Sequence, residues 1–125
     1  MEKQPYRILL VESDENQILL FSEELKAEGY EIIEARSGNE ALGTIRDLEP
    51  AGGIDLLVTG LGLNGGMDGL ELIGRVVSED NHLKTILLTS LYPRDNFLSY
   101  APDFIVNKSS DMTQLKGKIR ELLPQ

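Results

Sequence analysis

This sequence predicts an α/β domain, a parallel sheet with helices on both faces, on three observations. Short, nearly continuous apolar runs recur five times, as expected of strands buried on both faces. Segments of helical periodicity separate them, and strands that alternate with helices imply right-handed crossovers. The length of 125 residues, 41% of them apolar, suits one hydrophobic core. With no repeat, linker or low-complexity stretch, residues 1–125 read as a single domain.

Tyr6 to Val11 is the first apolar run and stops at an acidic cluster, which makes it the first strand. From Glu15 to Glu28, Ile18, Phe21, Ser22 and Leu25 recur at helical spacing, and Gly29 supplies the left-handed residue expected just past a helix end. Glu31 to Ala35 is the second strand. A turn at Ser37-Gly38 leads into a helix with Ala41, Leu42, Ile45 and Leu48 on one face, ended by Pro50. Ile54 to Thr59 is the third strand. A glycine-rich loop, Gly60 to Gly69, leads to a helix with Leu70, Leu72, Ile73 and Val76 or Val77 inward, and Thr85 to Thr89 is the fourth strand. Tyr92 to Ser99 reads as a short, weakly patterned helix, and Phe104 to Asn107 as the fifth strand. Met112, Leu115, Ile119, Leu122 and Leu123 mark one face of a last helix, with Ser110 or Asp111 as its cap and Lys116, Lys118 and Arg120 toward its carboxyl end.

Twenty-one acids against twelve bases give a net charge of -9, which repels phosphate backbones and anionic lipid and so argues against direct nucleic-acid or membrane binding. The charge is uneven. Residues 1–62 hold 13 acids and 5 bases, residues 63–125 hold 8 and 7, and Glu12 to Glu34 alone holds 8 acids against Lys26. That stretch reads as a mainly solvated face on the first helix, on which a basic partner could dock in a salt-dependent way. The absence of cysteine excludes disulfides, thiolate nucleophiles and Cys-based zinc sites. His82 lies in a polar run and reads as a solvated loop residue. With no signal-peptide core and no apolar run long enough to span a bilayer, the expected location is cytoplasmic.

In a doubly wound sheet, ligands sit beyond the carboxyl ends of the strands. The residues there are Glu12-Ser13-Asp14, Thr59-Gly60, Thr89-Ser90 and Asn107-Lys108-Ser109. Four strings, ILLVESDE at 8–15, IDLLVTGLGLNGGMDGLELI at 54–73, TILLTS at 85–90 and FIVNKSSD at 104–111, together with GNEAL at 38–42, resemble the receiver domain of bacterial two-component response regulators. The resemblance covers essentially the whole chain. It implies a flavodoxin-like fold with strand order 2-1-3-4-5, a signalling module rather than an enzyme, and phosphoryl transfer from a phosphohistidine to an aspartate at the end of the third strand. In that chemistry acids after the first strand help hold Mg²⁺, and a Thr or Ser and a Lys bind the phosphoryl oxygens.

Carried over position by position, the resemblance makes Glu12 the first acid, Thr89 the switch hydroxyl and Lys108 the lysine. Ser13 stands where the principal metal-binding aspartate is expected, and Gly60 at the phosphoacceptor. Asp55 and Asp68 are the nearest acids to Gly60, and Asp68 reads as a turn and cap residue; Thr59 lacks acyl-phosphate chemistry. Asp14 is expected to point outside the pocket, leaving Glu12 and Lys108 at net zero. Lys108 is therefore expected to pair with Glu12 or reach backbone carbonyls, with Thr89 hydrogen-bonded locally. No cofactor is expected, or Mg²⁺ only weakly, with Glu12 its one strong ligand. Phe104 is the candidate switch aromatic, though it precedes Lys108 by four residues where the family uses three, the place of Ile105. Ser109 replaces the usual proline after Lys108, which puts a cis peptide there in doubt. The loop after the third strand is one residue longer than usual, with Asn64 where proline is common, and is expected to move more.

The reading is thus a degenerate receiver that acts by protein contacts with a sensor kinase, phosphotransfer or output domain. The first helix is implied to dock the phosphodonor. The face made by the fourth helix, fifth strand and last helix is implied as the output and homodimer surface. Two alternatives compete: a conventional phospho-switch with a non-standard acceptor, and a nucleotide-binding module. The second arises because Gly60, Gly62 and Gly65 spell G-x-G-x-x-G after a strand.

Overall fold

The computed structural model describes residues 4–80, 82–90, 102–108 and 112–124. Five strands form one parallel sheet: β1 (Arg7–Val11), β2 (Glu31–Ala35), β3 (Leu56–Gly60), β4 (Lys84–Thr89) and β5 (Phe104–Asn107), in the order β2-β1-β3-β4-β5. Four helices are described: α1 (Glu15–Ala27), α2 (Gly38–Leu48), α3 (Gly69–Glu79) and α4 (Met112–Leu122). The helix expected at Tyr92–Ser99, the caps Ser110 and Asp111, and the Lys108-Ser109 peptide lie outside the described residues.

Each strand alternates its apolar side chains between two layers. Ile8, Leu10, Val58, Leu88 and Val106 pack with Phe21 and Leu25 of α1 and Leu115 and Ile119 of α4. Leu9, Val11, Leu57 and Leu87 pack with Ala41 of α2 and Leu70, Ile73 and Val76 of α3. Because both faces are covered, the strands need no polar side, which explains the unbroken apolar runs. The inward set foreseen for α1 is the buried set: Ile18, Phe21, Ser22 and Leu25.

Several boundaries differ from expectation, three of them for a local reason. Ser37-Gly38 is a helix start, not a separate turn: Ser37 caps α2 by accepting from the Glu40 amide at 3.1 Å. β3 begins at Leu56 because the Asp55 carboxylate accepts the Arg7 amide at 2.8 Å. β3 also runs one residue further than foreseen, since Gly60 pairs with Leu88.

The acidic stretch is mostly exposed, as expected, but several of its carboxylates are ion-paired. Lys116 of α4 meets Glu24 of α1 at 2.9 Å, Arg120 meets Glu28 at 3.3 Å, and Arg36 meets Glu15 at 2.6 Å. The Arg36 hydrogen bond holds the Glu15 carboxyl below its ordinary value of 4.5. The contribution of that pair to stability is therefore present above pH 4.5 and lost as pH falls through the lowered value. Arg36→Gln is expected to move the Glu15 midpoint back upward in a side-chain NMR titration; an unchanged midpoint would show that the pair does not form in solution.

Candidate functional site at the carboxyl end of the sheet

β1 pairs with β3 through Val11 and Thr59, so the next residues out, Glu12 and Gly60, emerge side by side where pairing ends. Lys108 follows the last residue of β5, and its amide donates to the Thr89 carbonyl at 3.1 Å. The topology thus gathers Glu12, Gly60, Thr89 and Lys108 at one end of the sheet.

Glu12 is only 3% exposed, and its Oε1 accepts from Lys108 Nζ at 2.8 Å. This is the first of the two arrangements expected for Lys108 from the charge count. Its Oε2 is buried with no hydrogen-bond partner. That oxygen is directed at Gly60: a Cβ on residue 60 would lie 3.1 Å from Glu12 Cδ and nearer still to Oε2. Glycine at 60 therefore makes the room in which the Glu12 carboxylate sits.

The other candidates make contacts of their own. Asp14 is exposed and caps α1, accepting from the Asn16 amide at 2.9 Å and the Gln17 amide at 3.3 Å. Ser13 Oγ donates to the Gly62 carbonyl at 3.4 Å. Thr89 is buried at the end of β4. Asp68 caps α3, accepting from the Glu71 amide at 2.8 Å, and Asp55 is at the opposite end of β3. Phe104 packs into the α1/α4 layer, with Lys118 Nζ 4.5 Å from its ring centroid, and Ile105 into the α2/α3 layer. Strand alternation puts Thr89 on the same side as Leu87, hence on Ile105's face and not Phe104's. The candidate switch aromatic is thus on the wrong face to follow the Thr89 hydroxyl.

The set does not fit Mg²⁺. Octahedral oxygen coordination needs several free oxygens, yet one Glu12 oxygen holds an ammonium, Asp14 is engaged with a helix, and Ser13 and Gly60 bring no carboxylate. Among the described residues, no group of three or more Asp, Glu or His side chains could hold a metal ion.

Nor do Gly60, Gly62 and Gly65 form a dinucleotide cradle. In that motif a helix opens at once, so that its free amides face phosphate. Here α3 begins only at Gly69, the Gly69 amide donates to the Leu61 carbonyl at 2.7 Å, and the Glu71 amide to Asp68. A cavity of about 370 Å³ lies at the other end of the sheet, between Ile45, Ile54, Val76 and Leu83. The glycine-rich loop instead folds back on α2. Gly65 and Gly66 take positive φ, Asn64 bridges to Ser37, and Met67 packs so closely on Gly38 that a Cβ there would be 2.5 Å from its Sδ.

A family model, the response regulator receiver domain, matches residues 8–120. The chain belongs to that family. The receiver is 38% identical to TrrA of Thermotoga maritima, whose crystal structure is a complex with Mg²⁺ and BeF; the TM-score is 0.81, over 94% of this chain and 99% of that one. It is 29% identical to sporulation initiation phosphotransferase F of Bacillus subtilis over 94% of each chain. It is 30% identical to the transcriptional regulatory protein TrcR of Mycobacterium tuberculosis over 95% of this chain, and spans about half the length of that protein, 46%. The CheY4 chemotaxis protein of Vibrio cholerae, at 18% identity and a TM-score of 0.84, shares the fold. No helix among the described residues is long and apolar enough to cross a membrane.

Proposed function

We propose that this receiver works by phosphorylation-independent protein contacts within a two-component pathway. The observation that carries the reading is the site itself: Gly60 offers no oxygen nucleophile, and the lysine that would bind a phosphoryl oxygen is 2.8 Å from the Glu12 carboxylate. Among the described residues, the site so arranged lacks the acceptor aspartate, and its lysine is already paired with Glu12. Recognition is left to surfaces. On α1, Leu19 and Leu20 are 58% and 54% exposed, an apolar pair on the helix that the family resemblance assigns to phosphodonor docking. TrrA has been crystallised with the histidine kinase ThkA, which supports a kinase or phosphotransfer protein as the partner class. An output domain is the other candidate, and the homodimer face remains part of the proposal, although its fourth-helix portion falls outside the described residues. A location in the cytoplasm follows from the same pathway assignment.

The test is a titration of the protein with Mg²⁺ and beryllofluoride, followed by backbone amide shifts. No saturable change is expected at Gly60, Thr89 or Lys108. Saturable, Mg²⁺-dependent shifts there would restore the conventional phospho-switch, and shifts on adding NAD or ATP alone would restore the nucleotide-binding alternative.

A further inference from the structure

We infer that the cavity at the amino end of the sheet is a binding site for a small organic cation, an ammonium carried on a short apolar body. It lies at the opposite end of the domain from Glu12 and Lys108, so binding there requires nothing of that pair.

The walls of this cavity are fixed by specific contacts. Beyond α2 the chain makes one tight turn, Glu49–Ala51, and reverses through Gly52 and Gly53. The two glycines take φ of +103° and +72°, where side chains are disfavoured, so the wall they form is bare backbone. Arg7 holds that wall in place: its Nη1 donates to the Ala51 carbonyl at 3.2 Å and to the Gly53 carbonyl at 2.8 Å. Ile45 of α2, Val76 of α3, and Ile54 and Leu83, which precede β3 and β4, supply the apolar lining. The volume, about 370 Å³, falls within the range of about 300–1,000 Å³ usual for small-molecule sites.

The charge that lines the cavity is negative. Glu49 and Asp80 border it and, among the described residues, no Lys, Arg or His does. Arg7 is outside the lining and is paired with Glu31 at 3.0 Å. The two acids also mark two helix ends, since Glu49 follows the last residue of α2 and Asp80 the last of α3. Both helices therefore direct the negative pole of their dipoles here. Together these features attract a cation, and the aliphatic walls select one with an apolar body. An anion of the same shape is repelled, and a bare cation gains nothing from the walls.

The probe is hexylammonium, followed by backbone amide shifts of the unaltered protein, with hexanoate, hexanol and methylammonium as matched controls. Methylammonium sets the background, because a net charge of -9 draws any cation loosely to the surface. Hexylammonium is expected to shift Gly52, Gly53, Ile54 and Leu83 saturably, with a Kd of about 1 mM, ordinary for so small a ligand. Hexanol is expected to bind about fivefold more weakly and hexanoate more weakly still, while methylammonium leaves these amides unsaturated. Glu49→Gln with Asp80→Asn is expected to weaken hexylammonium about tenfold and to leave hexanol unchanged. The asparagine retains the oxygen that accepts from the His82 amide, so the turn after α3 is kept. Four results overturn the inference: no saturable shift at these amides, the same shifts with methylammonium, hexanoate or hexanol binding as tightly as hexylammonium, or an unchanged hexylammonium affinity in the double variant.

Discussion

Lys108→Met is expected to lower the folding free energy by about 3 kcal/mol or more, a large part of the roughly 5–15 kcal/mol that holds such a domain together. The size follows from asymmetry within the pair. Glu12 is 3% exposed and the Lys108 side chain 18%, so the carboxylate depends on its partner far more than the ammonium does. Removing the lysine leaves a buried anion with one oxygen already unpartnered. Removing the anion leaves a lysine that can turn toward water, and a glutamine at 12 still offers it an amide oxygen. Glu12→Gln should accordingly cost only about 1 kcal/mol, the worth of an ordinary hydrogen bond. The double change Glu12→Leu with Lys108→Met is expected to be milder than Lys108→Met alone, since a buried pair replaced by apolar groups recovers its desolvation cost. Urea unfolding of the four proteins measures all of this. If Lys108→Met falls within about 0.5 kcal/mol of the parent, the range of an unremarkable surface change, the ion pair does not form in solution.

This pair was legible in the sequence as chemistry but not as shape. Motif register put Glu12, Gly60, Thr89 and Lys108 at the strand ends, and a count of the remaining charges left Lys108 either Glu12 or backbone carbonyls as its partner, of which the structure shows Glu12. What the count could not supply is that the second Glu12 oxygen enters the space beside Gly60. That depends on the β1-β3 register and on a rotamer, neither of which spacing reveals. Phe104 shows the same limit. Its distance from Lys108 along the chain left two candidate positions open, and strand parity is what separates them: Phe104 faces α4, Ile105 faces α3.

The fold was readable because a sheet covered on both sides needs little information: apolar runs, a helical stripe and a stop. Charge was harder. Glu24 and Glu28 look like part of a solvated acidic face along the chain, yet their partners Lys116 and Arg120 lie some ninety residues away on α4. Only the packing of α1 beside α4 on one side of the sheet brings the negative first half and the basic last helix together. The exposed surface of α1 therefore carries Leu19 and Leu20 beside carboxylates of which several are ion-paired.

Gly69→Ala is expected to destabilise the protein by about 2 kcal/mol or more, although helix propensity alone predicts the opposite sign by up to about 1 kcal/mol. Gly69 opens α3 directly beneath the end of β3. A Cβ there would lie 2.9 Å from the Gly60 carbonyl carbon, closer still to its oxygen, and 3.2 Å from Leu61 Cα. All three are backbone atoms, fixed by the sheet and by the 2.7 Å hydrogen bond from the Gly69 amide to Leu61, so nothing can swing aside. Gly43 and Gly117 provide the contrast. Both lie within helices, and a Cβ on either meets nothing within 4 Å. Gly43→Ala and Gly117→Ala are expected to stabilise by about 0.5–1 kcal/mol through reduced chain entropy. The three variants carry the same substitution into three helices, and urea unfolding should sort them by sign. The Gly69 variant has a further reading. Its Cβ pushes on the residue that makes room for Glu12, so the amide shifts of Gly60 and Lys108 should move together. A Gly69→Ala protein as stable as the parent, with both signals unmoved, would mean that α3 does not sit tightly under the site.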